Sequence, residues 1–247
     1  MRLVIDDVWL KSPDFVLPND VSYMAAAELK TTSVPCIGSV YGVLHNDVRG
    51  LLALGDAVNQ APYKKAPIAP VLYNKPRNTW VENAQPIIAP KNVGELQMGG
   101  ALGIVMGDVA TRLNLNNALS VVAGYTIVND VSVPHEAYYR PSLRFKVFDA
   151  SCAIGPWVRG AVRIPNPDAL MVHTYVNDEL VQEYNTMIFT RGVAQLLVDV
   201  TEFMTLQPND ILILGVAHPP VLGKIGDTVR IEIEHLGVLI NTVKEDR

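Results

Sequence analysis

Chemistry-bearing side chains gather between residues 75 and 149 of this chain. Lys75 and Arg77 sit in NKPRNT, at the end of a short apolar run. From Gly124 the chain reads GYTIVNDVSVPHEAYYRPSLRFKVFDASCAIGP. There Asp130 closes an apolar stretch, and His135, Glu136, Tyr138, Tyr139 and Arg140 follow within ten residues. After a proline come Arg144 and Lys146, which would share one side if the piece is extended. Asp149 follows. Lysines and arginines collected at strand ends suit a small substrate with several carboxylates. They would also polarise a carbonyl and stabilise an enolate, with His135 or Glu136 as the acid or base. Composition alone leaves open a solvated, charged loop with no such role.

The elements that must hold these residues are mostly strands. Short β-branched runs punctuated by Pro, Gly and Asn-Asp are expected at Ser39 to Leu44, Val71 to Asn74, Leu102 to Met106 and Tyr125 to Val128. Further runs are Ala161 to Ile164, Met171 to Val176, Ile211 to Leu214 and Thr228 to Glu234. The last alternates Val229, Ile231 and Ile233 against Arg230, Glu232 and Glu234, the pattern of a half-buried strand. Two helices are expected. Thr190 to Thr205 places Val193, Leu196, Leu197, Val200 and Phe203 on one face, and Leu115 to Ala123 is shorter. The fold class is therefore mainly β with flanking helices (α+β), without regular βαβ alternation. Residues 1–37 lack this rhythm and read as an N-terminal appendage to a main domain spanning 38–247.

Several chemistries are excluded. The 247 residues are 49% hydrophobic and 18% charged, enough to bury a sizeable core, and the net charge of −5 with no basic run argues against a nucleic-acid partner. No segment is apolar and long enough to span a bilayer, and the N-terminus carries acids where a leader would carry bases, so no membrane partner and a cytoplasmic location are expected. Cys36 and Cys152 form no zinc-type pair. No phosphate-binding loop or nucleophile elbow occurs. Gly99, Gly100, Gly103 and Gly107 miss the dinucleotide spacing and read instead as a strand closely approached on both faces.

GYTIVND, YYRPSLRFK and Asp149 together resemble the central signature of the fumarylacetoacetate hydrolase family. QAPYKKAP, KPRNT, NDVSVPHEAYYRP and NTMIFTRGVAQLLVDVTEFMTLQPNDILILG extend the likeness from about Gly38 to the C-terminus. The resemblance implies a mixed β-sheet roll of the fumarylacetoacetate hydrolase type. It implies a cleft at one end of the sheets with Lys75, Arg140, Lys146 and Glu136 as catalytic groups and Arg77, Asp130, Tyr139 and Arg144 as substrate-binding ones. The implied activity is that of a decarboxylase/isomerase subunit acting on 5-oxopent-3-ene-1,2,5-tricarboxylate and 2-hydroxyhepta-2,4-diene-1,7-dioate in 4-hydroxyphenylacetate degradation.

The likeness also shows what is missing. Members that bind magnesium or manganese use an E-x-E pair on one strand and an aspartate on the next. Asp130 matches the aspartate, but Gly99 and Ala101 stand at the glutamate positions. One carboxylate rarely holds such a hard cation. The resemblance thus implies no metal and no other cofactor on this chain, with magnesium expected in a metal-bearing paralogue. The implied partners are a small di- or tricarboxylate and either a second copy or a paralogous subunit. Two further positions depart. Asn46 is followed by Asp47 where hydrolytic members carry a histidine, with His45 on the wrong side of it. The late Gly-Thr-Pro turn reads Gly215-Val216-Ala217. Two other readings stand beside the decarboxylase/isomerase: a catalytically silent subunit supporting its paralogue, and another metal-free enzyme on 2-oxo acids.

Overall fold

The computed structural model describes Val34 and residues 38–61, 64–135 and 143–246. Glu136, Tyr139 and Arg140, and nearly all of the expected 1–37 appendage, lie outside the described residues.

Fourteen strands dominate the described residues. They are β1 Val40–Leu44, β2 Val71–Asn74, β3 Trp80–Val81, β4 Ile87–Ala89, β5 Glu95–Met98, β6 Gly100–Met106 and β7 Val122–Asp130. After these come β8 Cys152–Gly160, β9 Met171–Val176, β10 Glu179–Asn185, β11 Ile211–Ile213, β12 Val221–Lys224, β13 Thr228–Ile233 and β14 Gly237–Glu245. The α-helices among the described residues are short: α1 Val48–Leu52, α2 Leu143–Lys146 and α3 Val193–Thr201. A mixed seven-stranded sheet runs β2-β1-β11-β6-β7-β8-β3, a five-stranded sheet runs β10-β9-β13-β14-β4, and β12 pairs with β5. This is the expected mainly β roll with flanking helices.

The core explains which expectations held. Both faces of β6 are covered, so all seven of its residues are buried and the run is continuously apolar rather than alternating. β13 is covered on one face, and there Val229, Ile231 and Ile233 are buried while Arg230 and Glu232 stay half-exposed. Helix α3 buries Val193, Leu196, Leu197 and Val200 against the main apolar cluster. Its first turn is held by Asp168, whose carboxylate accepts from the Val193 N–H at 2.7 Å.

Four local expectations are corrected. Ala161–Arg163 is a single 3-10 turn, and the strand lies before it, at Cys152–Gly160. Gly155 and Pro156 interrupt that run and hide it from strand rules, yet neighbours β7 and β3 supply its ladder. Leu115 to Ala123 is not an α-helix: a 3-10 turn covers Ala118–Val121 and β7 begins at Val122. The late helix stops at Thr201, so Phe203 falls beyond it and is 60% exposed instead of packing with the apolar face. Residues Leu143–Lys146 are helical rather than extended, which turns Arg144 and Lys146 to different sides.

Candidate functional site

Asp130 is the last residue of β7, and its carboxylate is buried at the end of the sheet. Three groups from two other segments surround it. The Lys75 ammonium lies 2.9 Å from one oxygen, the Lys146 ammonium 3.6 Å from the other, and the Tyr73 hydroxyl donates a hydrogen bond to that second oxygen. Lys146 also stands over the Tyr73 ring, 4.5 Å from its centre.

Local backbone accounts for each placement. Tyr73 and Lys75 are two residues apart at the end of β2, so they project to the same side. The Tyr73 ring fits because Gly42 faces it across the β1–β2 ladder; a β-carbon at Gly42 would overlap the ring. Lys146 ends α2, which is tied to the strand leaving Asp130 by the Val133 N–H donating to the Phe145 carbonyl at 2.8 Å.

The two lysines are not equivalent. Lys75 is fully buried and donates to three backbone carbonyls, those of Val131 at 2.7 Å, Lys146 at 2.5 Å and Ser151 at 3.1 Å. It is a fixed internal cation that joins β7, α2 and the start of β8. Lys146 is also nearly buried, but its side chain lines a cavity of about 540 Å³. Tyr73, Asp130 and Ser132 line the same cavity, with His135 beside them. Leu44, His45 and Asp47 from the end of β1 and just beyond it, and Val216, Ala217 and His218 from the segment after β11, line it as well.

Electrostatics follow from burial and charge balance. Burial alone would raise the Asp130 pKa, but Lys146 and Lys75, with the Tyr73 hydroxyl, outweigh it and hold the carboxyl below its ordinary value. Burial lowers the Lys146 pKa, with Lys75 adding to the effect and Asp130 opposing it. Burial, and then Asp130, push the Tyr73 hydroxyl well up, so it stays a neutral donor. With two ammonium groups against one carboxylate, the cluster has an unbalanced positive charge facing the cavity. That favours an anion there.

The positions that would carry a metal pair are otherwise occupied. The Gly99 N–H donates to the Asn129 side-chain oxygen at 3.0 Å, and a β-carbon here would overlap the Asp130 carbonyl oxygen. Ala101 is fully buried in the apolar cluster of Val40, Val128 and Ile213. Among the described residues no three His, Cys, Asp or Glu side chains converge as metal ligands. A single carboxylate already engaged by two ammonium groups does not fit a magnesium or manganese ion.

Of the residues singled out in the sequence, Lys75, Asp130 and Lys146 are brought together. Arg77 and Arg144 are exposed and are absent from the cavity wall, each lying over a neighbouring ring, Trp80 at 5.7 Å and Phe145 at 5.9 Å. Asp149 is also exposed and accepts from the Asn78 side chain at 2.7 Å. Tyr73 was missed. Its place two residues before Lys75 on a strand was the signal that could have found it. Asp47 and His218 were missed as wall residues because the contact between them is long-range: the His218 N–H donates to the Asp47 carboxylate at 2.7 Å. Asn46 is an internal latch, its side chain bonded to the backbone of Arg191 and Leu214.

The family described as fumarylacetoacetate (FAA) hydrolase, C-terminal, matches residues 39–244. The chain is 36% identical over 211 residues to the 4-hydroxyphenylacetate degradation bifunctional isomerase/decarboxylase of Escherichia coli, covering 85% of this chain and 48% of that protein. It is 31% identical over 222 residues to a 2,4-didehydro-3-deoxy-L-rhamnonate hydrolase of Sphingomonas sp. (strain SKA58), covering 84% and 77% respectively. Among solved structures it is similar to a 2-hydroxyhepta-2,4-diene-1,7-dioate isomerase from Mycobacterium marinum, with TM-score 0.69 and 29% identity over 86% of this chain and 77% of that one. The chain spans about half the length of the bifunctional relatives it matches. These relatives are enzymes by name. No helix among the described residues is long and apolar enough to cross a membrane.

Proposed function

The chain belongs to the fumarylacetoacetate hydrolase family, and on that premise we propose that it is a subunit of a decarboxylase/isomerase for small unsaturated 2-oxo di- or tricarboxylates, working in its own cleft without a divalent cation. The substrates would be 5-oxopent-3-ene-1,2,5-tricarboxylate and 2-hydroxyhepta-2,4-diene-1,7-dioate, in 4-hydroxyphenylacetate degradation. One observation carries the reading: the Lys146 ammonium, backed by Asp130 and Tyr73, lines a cavity whose charged cluster is positive overall.

Loss of carbon dioxide leaves an electron pair that must move to an oxygen. A desolvated ammonium beside that oxygen stabilises the enolate, the task a metal performs in metal-bearing relatives. Lys146 takes that role here. Lys75 acts as a positioning residue, because its donors are used on backbone carbonyls and Asp130. Glu136, Tyr139 and Arg140, which lie outside the described residues, remain proposed contributors, and the partner remains a second copy or a metal-bearing paralogue.

The test is decarboxylation of 5-oxopent-3-ene-1,2,5-tricarboxylate by this chain alone, with magnesium and with EDTA. Turnover that survives EDTA supports the metal-free cleft. Turnover abolished by EDTA and restored by magnesium rejects it. Absence of turnover in both conditions favours a second reading, a silent subunit supporting its paralogue, for which the replacement of both glutamate positions by Gly99 and Ala101 is the supporting observation.

A further inference from the structure

A neutral polar pair lines the cavity together with the charged cluster. Gln97 and Ser132 face each other in an antiparallel bridge, the Gln97 N–H donating to the Ser132 carbonyl at 2.8 Å and the Ser132 N–H to the Gln97 carbonyl at 3.0 Å. The bridge continues the pairing of Asp130 with Gly99, whose carbonyl accepts from the Asp130 N–H at 2.9 Å. Asp130 and Ser132 are two positions apart on this extended stretch, so they project to one side, about 7 Å apart along the chain. On the facing strand β5, Leu96 and Met98 turn into the main apolar cluster. Gln97 between them turns the other way, onto the face of Ser132 and the cavity. The pair therefore stands one side-chain repeat along the sheet from the carboxylate that holds Lys146.

The hydroxyl hydrogen decides which end of the amide meets Ser132. Ser132 Oγ lies 3.2 Å from Gln97 Oε1, its one hydrogen-bond partner among the described residues, in a residue only 4% exposed. The hydroxyl donates to Oε1. An amide turned the other way would donate to the hydroxyl and leave its hydrogen without an acceptor. Gln97 Nε2 then keeps its donors, with no acceptor for them among the described residues, on a half-buried side chain at the cavity wall. The ligand that suits such a donor beside a positive cluster is a carboxylate, which only accepts and makes a charge-assisted bond. The Lys146 ammonium acts as a point charge, whereas the planar amide, fixed at Oε1, adds direction.

We propose that Gln97 is a specificity-determining residue of this cleft, its Nε2 donating to the carboxylate that adjoins the substrate's keto group while Ser132 holds its Oε1. The inference rests on the reading above that the cleft takes 2-oxo carboxylates. It assigns the keto oxygen to Lys146 and the adjoining carboxylate to Gln97, so that one planar head group is held at two points.

The experiment is calorimetric titration of the full chain at pH 7 with two probes. Oxalate mimics the planar enolate head, and oxamate replaces one of its carboxylates by an amide that can donate. Wild type, Gln97→Met and Gln97→Glu are compared. Gln97→Glu keeps an acceptor for the Ser132 hydroxyl and so guards against loss of the bridge, but it has no donor. The expected result is oxalate binding by the wild type, weakened about tenfold or more in Gln97→Met. In Gln97→Glu the preference moves from oxalate towards oxamate by about tenfold or more, because the oxamate amide donates to the new carboxylate. Oxalate affinity in Gln97→Met within about threefold of the wild type overturns the role of the amide and leaves the cleft's substrate class standing. Equal losses of oxalate and oxamate in Gln97→Glu also overturn it, assigning Gln97 to shaping the cavity. Binding of neither probe by the wild type overturns the substrate class and the inference with it.

Discussion

Lys75 and Asp130 form an ion pair of 2.9 Å in which both side chains are wholly buried. Asp130 lines the cavity, whereas Lys75 lies behind its wall, bound also by the carbonyls of Val131, Lys146 and Ser151. The consequence is a division of labour between two lysines that look alike in the sequence.

Lys75→Met leaves a buried carboxylate short of its nearest cation and three carbonyls short of a donor. It is expected to cost about 3–5 kcal/mol of stability. Lys146→Met is expected to cost clearly less, since Asp130 keeps Lys75 and Tyr73 and an ammonium is no longer buried, yet to lower turnover at least about a hundredfold. Urea denaturation and steady-state kinetics on the two variants check the split. Equal stability losses would refute it.

Asp130 links stability to acid. Its carboxyl is held below the ordinary value of 3.8 by Lys146 and Lys75 against the opposing effect of burial. The folded state therefore binds that proton less readily than the unfolded chain. The stabilisation is complete above the unfolded pKa and is lost as pH falls through the depressed folded one. Asp130→Asn should unfold at lower urea at pH 7 and show a flatter decline below about pH 4. Urea midpoints from pH 2 to 7 for both proteins measure this.

Lys146 has the same sign of effect, at high pH. Burial and Lys75 depress its pKa below 10.5, so the unfolded chain binds the proton more readily. Stability contributed by this group is expected to rise with pH between the depressed folded pKa and 10.5. The wild type minus Lys146→Met difference in unfolding free energy, measured from pH 7 to 10, should grow in favour of the wild type. A flat difference would show that Lys146 titrates normally.

Restoring the glutamate pair should not restore a metal site. In Gly99→Glu/Ala101→Glu, the first β-carbon overlaps the Asp130 carbonyl oxygen and the second residue enters an apolar cluster. The double variant is expected to lose stability and to gain no magnesium affinity over a wild type that itself binds weakly or not at all. Isothermal calorimetry with magnesium decides it, and tight binding by the wild type that is lost in Asp130→Ala would overturn the metal-free reading.

Gly42 and Tyr73 should behave as one unit. Gly42→Ala overlaps the ring that supports Lys146 and is expected to cost about 1–3 kcal/mol. Tyr73→Phe removes only the hydroxyl on Asp130, at about 1–2 kcal/mol. A thermal-melt comparison of the two single variants and the double variant tests whether the effects couple.

The local sequence determined much of this protein. Strand periodicity located β1, β2, β9 and β13 within a residue or so, because each lies in a run whose covered faces dictate its pattern. The motifs around Lys75, Asp130 and Lys146 pointed to the family and to three members of the charged cluster, and Gly99 and Ala101 showed that two carboxylates were absent. What tertiary structure alone decided was the surroundings of each charge. Lys75 and Lys146 differ because one is enclosed by carbonyls from three segments and the other opens on a cavity, a distinction no local pattern carries. Arg77 and Arg144 have the same charge as the lysines, but the backbone turns them onto outer aromatic rings. The α2 helix, too short to show a period, overturned the extended reading of Arg144 and Lys146. Side-chain type is local, whereas desolvation and partner geometry are set by residues as many as 171 positions apart, and those two quantities fix what each charge can do.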